Sequence, residues 1–115
     1  MTENFKAYEF ECKCCGANRM NASVVRRLQE LRTKYGYPMQ IASGFRCSKH
    51  NAEIEGNPES SHILGYAVDI AISSSSQRYN FLLTALEFFD RIGVAGNFIH
   101  LDLDPHKIAK VIWTY

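Results

Sequence analysis

Apolar residues recur along this chain with two different periods. Between Ala22 and Tyr35, the positions Val24, Leu28, Leu31 and Tyr35 follow an i, i+4, i+7, i+11 stripe. Asn21 precedes the run and Gly36 follows it, so the pattern predicts a helix with an asparagine N-cap and a glycine stop. A second helix is predicted from Gln77 to Arg91, after a Ser73–Ser76 turn that supplies its cap. Tyr79, Leu82, Leu83, Leu86 and Phe89 form its main stripe. Phe81, Phe88 and Ile92 widen that stripe, which predicts burial on more than one side, with Gly93 as the end of the helix.

Elsewhere the period is two. In Ala67–Ile72, Val68, Ile70 and Ile72 share one strand face while Ala67, Asp69 and Ala71 share the other. In Phe98–Leu103, Ile99, Leu101 and Leu103 alternate with Phe98, His100 and Asp102. Shorter strands are predicted at Met39–Ala42 and Lys107–Trp113, the latter reached through the turn Asp104-Pro105-His106. The stretch from Phe45 to Ser61 reads as a long connection with one helical turn near Lys49–Ile54, and long ordered loops in compact domains are usually functional. The order α-β-β-α-β-β indicates an α+β fold, with helices on a small, mainly antiparallel sheet.

Length and composition narrow the picture. At 115 residues, 46% of them hydrophobic and 22% charged, the chain reads as one soluble domain spanning 1–115 with a core of its own. A net charge of +1 gives no basis for nucleic-acid or membrane-surface binding, and Arg26, Arg27, Arg32 and Lys34 read as the solvated face of the first helix. No apolar run approaches the roughly 20 residues needed to cross a bilayer. Met1–Lys6 has neither a basic start nor an apolar core, so no secretory signal is expected. Lacking an exposed apolar stripe, the protein is expected to be a monomer.

Asp69, His100 and Asp102 sit on the polar faces of the two alternating strands, and His62 lies in the connection before the first. His62, Asp69 and His100 supply two imidazoles and a carboxylate, three protein ligands that leave one position open for water, as in a catalytic zinc site. Gly65, between the first two, suits a tight turn that lets loop and strand converge. Asp102 lies two residues after His100 on the same face. It is either the base that takes the water proton or a group that orients a ligand. Arg46 can hold a carboxylate bidentately or stabilise an oxyanion. A two-histidine, one-carboxylate set also suits non-haem iron, but here the distant histidine comes first and the strands are too few for a barrel. Cys12, Cys14, Cys15 and Cys47 leave three readings: a disulfide from one of the first three to Cys47, reduced buried thiols, or a structural metal. Cys-x-Cys-Cys is not the usual knuckle spacing for the last of these.

Taken together, Ser60-Ser61-His62-Ile63-Leu64-Gly65-Tyr66-Ala67-Val68-Asp69 and His100-Leu101-Asp102, with Ser43-Gly44-Phe45-Arg46, Asn51 and Trp113, resemble the M15 family of zinc D-Ala-D-Ala carboxypeptidases. The likeness runs from about Tyr8 to Trp113 and is greatest to the short phage and prophage members. It implies a hedgehog/DD-peptidase-like fold, zinc held by His62, Asp69 and His100, and hydrolysis of peptidoglycan stem peptides. Arg46 matches the family's anion-binding arginine, and Ser60 a serine resembling a substrate contact. The implied setting is synthesis in the cytoplasm and action on the cell wall after phage-type release or as a virion component. One departure is plain: relatives commonly carry an acid three residues before the last histidine, and this chain has Asn97. The same fold as an inactive wall-binding module is therefore the competing expectation.

Overall fold

A computed structural model describes residues 2–115. A 3₁₀ turn, Ala7–Phe10, precedes α1 (Ala22–Tyr35), β1 (Ile41–Ser43), α2 (Ser48–Glu53) and β2 (Ala67–Ala71). Then come α3 (Ser75–Ala85), β3 (Arg91–Val94), β4 (Phe98–Asp102) and β5 (Val111–Thr114). The five strands form one sheet in the order β1-β2-β4-β3-β5. Every pairing is antiparallel except β3 with β5. The architecture is α+β, as the hydrophobic pattern implied.

Helix α1 has the expected bounds. The Asn21 side chain accepts a hydrogen bond from the Ser23 N–H, and Gly36 closes the helix in the left-handed conformation at φ +83°. Val24, Val25, Leu28 and Leu31 are buried and join Phe81, Ala85 and Phe89 from the α3 region in a single core. The sheet contributes Val68, Ile70, Ile92, Ile99 and Leu101 to that core. Each of these aliphatic side chains removes apolar surface worth about 1.5–3 kcal/mol from water. Because strand side chains alternate, Asp69, His100 and Asp102 are left on the opposite face of the sheet.

The C-terminal half of the second predicted helix is different. α3 stops at Ala85, and Arg91–Val94 is a strand rather than the end of a helix. Its buried face is Phe81 and Ala85, one turn apart, while Tyr79, Leu83 and Leu86 are exposed. Burial is therefore on one side only. The apolar positions Phe88, Phe89, Ile92 and Val94 fit either period, and pairing with β4 and β5 decides for the strand. Gly93 does not cap a helix: it sits under Trp113, where an added Cβ would come within 2.6–2.9 Å of the indole.

Candidate metal centre

The register of the sheet lays out the site. Ser43 pairs with Asp69, Asp69 with His100, His100 with Gly93, and Gly93 with Trp113, forming one row across four pairings. Directly opposed residues of an antiparallel pair bring their side chains together, so Asp69 and His100 meet although 31 residues separate them. The absence of a Cβ at Gly93 lets Trp113 lie beside His100, with ring centroids 5.3 Å apart. His62 arrives from the turn before β2. That turn is closed by the Tyr66 N–H on Ser61 O at 3.0 Å, and it depends on Gly65 at φ +77°.

His62 Nε2 lies 3.2 Å from Asp69 Oδ1, and His100 Nδ1 lies 3.0 Å from the same oxygen. The remaining ring nitrogens are also engaged. His62 Nδ1 donates to Gly44 O at 2.8 Å, and His100 Nε2 donates to Asp102 Oδ2 at 2.7 Å. These partners set the tautomers. In the neutral rings, His62 Nε2 and His100 Nδ1 are bare lone pairs aimed at a carboxylate oxygen. Three acceptors converging in a buried place require a shared cation, either a ring proton or a metal ion. For bonds of about 2.0–2.1 Å, the edges of a tetrahedral site are roughly 3.3 Å. The observed separations are close to that, so the three residues fit a metal ion.

The electrostatics divide the two histidines: His62 is lowered and His100 is raised. Burial holds His62 below the ordinary histidine range, against the pull of Asp69, which keeps the ring neutral as a ligand must be. Burial alone would raise the Asp69 carboxyl, but hydrogen bonds from His100 and His62, formed when a ring carries the shared proton, outweigh it and hold the group well below the usual carboxylate range. At His100 burial acts downward, yet Asp102 and Asp69 together raise it. Asp102 is likewise lowered, its burial overcome by His100, the Asp104 N–H and Arg91.

Asp102 is fully buried, and both its oxygens are taken. Oδ2 receives His100 Nε2, while Oδ1 receives Arg91 Nε at 2.7 Å and the Asp104 N–H at 3.0 Å. Of the two roles open to it from sequence, this geometry suits orientation of His100 and leaves no free oxygen to act as a base. Arg91 is itself held by Trp113, 5.1 Å from its guanidinium carbon, and by the Ile108 carbonyl. Asn97 does not line the cleft; its backbone carbonyl receives the Ile72 N–H at 3.0 Å.

The three candidate ligands open into a cleft of about 780 Å³, which Arg46, Ser60, Asp102 and Trp113 also line. Burial lowers the Arg46 guanidinium, partly countered by Asp69. Its Nη1 is 3.2 Å from Asn51 Oδ1, while its buried Nε has no partner. Asn51 is in turn fixed by donating to Asn57 O at 2.8 Å. Ser60 Oγ accepts the His62 N–H at 3.2 Å, so it shapes the ligand turn while facing the cleft. Glu55, on the exposed rim, is the other carboxylate along this wall. Sequence reasoning gave no side-chain role at the site to Arg91, Ser61 or Asp104. Ser61 Oγ donates to the buried Asp104 carboxylate at 2.7 Å, which fastens the ligand turn to the end of β4. A serine next to a ligand is the only trace of this in the sequence. His106 is exposed and pairs with Asp104.

A family model described as Peptidase M15 matches residues 3–102. No curated protein matches the chain.

Proposed function

The chain belongs to the M15 peptidase family, and from that premise we propose that it is a zinc metallopeptidase hydrolysing peptidoglycan stem peptides. The bond cut is either a terminal D-Ala-D-Ala bond or a cross-link. The observation that carries this reading is the convergence of His62, Asp69 and His100 in a cleft that also holds Arg46. Zinc bound there would supply an activated water and a Lewis acid for the scissile carbonyl.

The protein's own groups do the rest. Gly44 O and Asp102 present the correct nitrogen of each imidazole. Asn51 holds the Arg46 guanidinium at the wall of the cleft, where it can bind a peptide carboxylate or the oxyanion. Trp113 walls the site beside His100. Among the cleft-lining carboxylates Asp69 and Asp102 are committed to the histidines, which leaves Glu55 to accept a proton. The partner is the stem peptide alone, met by a monomer without nucleic acid or membrane. Delivery to the wall is by phage-type release or within a virion. No helix among the described residues is long and apolar enough to cross a membrane.

One observation favours a catalytically weak wall-binding module instead: no acid stands at Asn97, and Asp102 is locked. Mass spectrometry of stem peptides incubated with zinc, and again with chelator, separates the two. Chelator-sensitive loss of one terminal alanine identifies a carboxypeptidase, and a cut further in identifies an endopeptidase. His62→Ala should abolish either product. Absence of product from protein shown to carry zinc at His62 would overturn the enzyme reading.

A further inference from the structure

Cys12, Cys14, Cys15 and Cys47 meet at one point on the surface. Cys12 Sγ is 3.7 Å from Cys14 Sγ and 3.6 Å from Cys47 Sγ, and Cys14 and Cys47 are 3.2 Å apart. All four sulfurs, Cys15 included, lie within 4.8 Å of one another, and all four thiols are free. The tight Cys-x-Cys-Cys spacing does not prevent convergence, because the backbone doubles back. The Cys12 N–H donates to Ala17 O at 2.7 Å, the Gly16 N–H donates to Cys12 O at 2.8 Å, and Gly16 turns at φ +73°.

The surroundings suit thiolates held around a cation. The backbone N–H of Cys47 points at Cys12 Sγ from 3.4 Å. The His50 N–H points at Cys47 Sγ from 3.3 Å. N–H groups directed at sulfur stabilise negative charge there. With no cation between them, four thiolates within 4.8 Å of one another repel. A shared metal ion reverses that opposition, since a coordinating thiol is deprotonated. For Zn–S bonds of about 2.3 Å, the edges of a tetrathiolate tetrahedron are roughly 3.8 Å. Two of the measured separations are within a fraction of an ångström of that value. Four soft donors in a closed set select zinc and leave no position open for substrate.

We propose that Cys12, Cys14, Cys15 and Cys47 bind a second, structural zinc ion that clasps the N-terminal segment to the loop carrying Arg46. Each thiol gives up its proton to solvent as it ligates. Cys47 follows Arg46 directly and caps α2. The same junction is closed by the Phe45 N–H on Phe10 O at 2.9 Å. At Gly44, whose carbonyl orients His62, the backbone passes so near Phe10 that an added Cβ would lie 2.7 Å from its Cα. The clasp therefore positions both the anion-binding arginine and one ligand histidine, from a place that touches neither substrate nor reacting atoms.

The test is metal and thiol stoichiometry on the intact protein, purified with a reductant and loaded with zinc. The expected result is two zinc ions per chain, with one released in step with titration of four thiols by a mercurial. Cobalt loading should give a thiolate-to-metal charge-transfer band that survives in His62→Ala and disappears in Cys14→Ser/Cys47→Ser. His62→Ala should retain one zinc, which keeps the sulfur site distinguishable from the catalytic one. His50→Ala should leave the band intact, and Cys15→Ser should weaken it. Should the double variant fail to fold, the wild-type stoichiometry still decides the matter. Four thiols freely reactive in zinc-loaded protein, or a thiol count short by a disulfide-bonded pair after reduction and reloading, would overturn the proposal.

Discussion

Replacing Asp102 with asparagine tests the logic of the site most directly. The three groups facing this carboxylate are all donors: His100 Nε2, Arg91 Nε and the Asp104 N–H. A carboxylate accepts at both oxygens, whereas a carboxamide accepts at one end only. Whichever way the new carboxamide turns, its NH₂ faces an N–H, or His100 must move its proton to Nδ1 and lose the lone pair that faces Asp69. Losing an outer carboxylate of this kind weakens metal binding by about 10- to 100-fold, or about 1.4–2.7 kcal/mol. Loss of one buried charge-assisted hydrogen bond should lower folding stability by a further 1.5–3 kcal/mol or so. The assay is competition for zinc against a fluorescent chelator at neutral pH, with kcat measured on fully loaded protein. The orienting role predicts weaker zinc binding and an activity that recovers substantially at saturating zinc. Unchanged zinc affinity with activity lost at saturation would refute it and return Asp102 to the role of base.

Three other outcomes follow from the same geometry. Gly65→Ala must adopt φ +77°, at about 1–2 kcal/mol, and its Cβ would run into the Arg19 carbonyl oxygen, adding roughly 1–3 kcal/mol; urea midpoints should fall accordingly, while Gly96→Ala, with open space around it, should be near neutral. Equal midpoints for the two would contradict the account of the ligand turn. Arg46→Ala should raise KM for a peptide with a free carboxylate by about 10- to 150-fold, the equivalent of one charged hydrogen bond, and should affect an amidated peptide much less; an equal loss on both would assign Arg46 to the oxyanion instead. The folded pKa values of Asp69 and Asp102 are depressed, so the stability they contribute is present above their unfolded value of about 3.9 and is lost as pH falls through the folded values. Metal-free protein should therefore lose stability progressively below about pH 4, and Asp102→Asn should show a shallower acid limb in the same denaturant titration.

Local pattern alone determined a good deal of this protein. The stripe and caps of α1 are set by residues within one or two turns of each other, so its bounds were legible. Strict alternation in Ala67–Ile72 and Phe98–Leu103 placed the aliphatic residues in the core and Asp69, His100 and Asp102 on one face. The candidate set was legible too, Asp69 and His100 through that alternation and His62 through its place in the turn ahead of Gly65. What the tertiary structure decided depends on partners distant in sequence. Ile92 and Val94 in Arg91–Val94 fall at positions that a helix could equally use, and only β4 and β5 make the segment a strand. Which nitrogen of each imidazole faces inward depends on Gly44 O and Asp102, groups that spacing cannot assign. The pairing of Arg91 with Asp102, which takes up the acid nearest the last histidine, arises from strand register. The meeting of Cys47 with the first three cysteines is likewise a product of chain return: the backbone folds back at Gly16 and docks Phe10 on Phe45, and no local period carries that information.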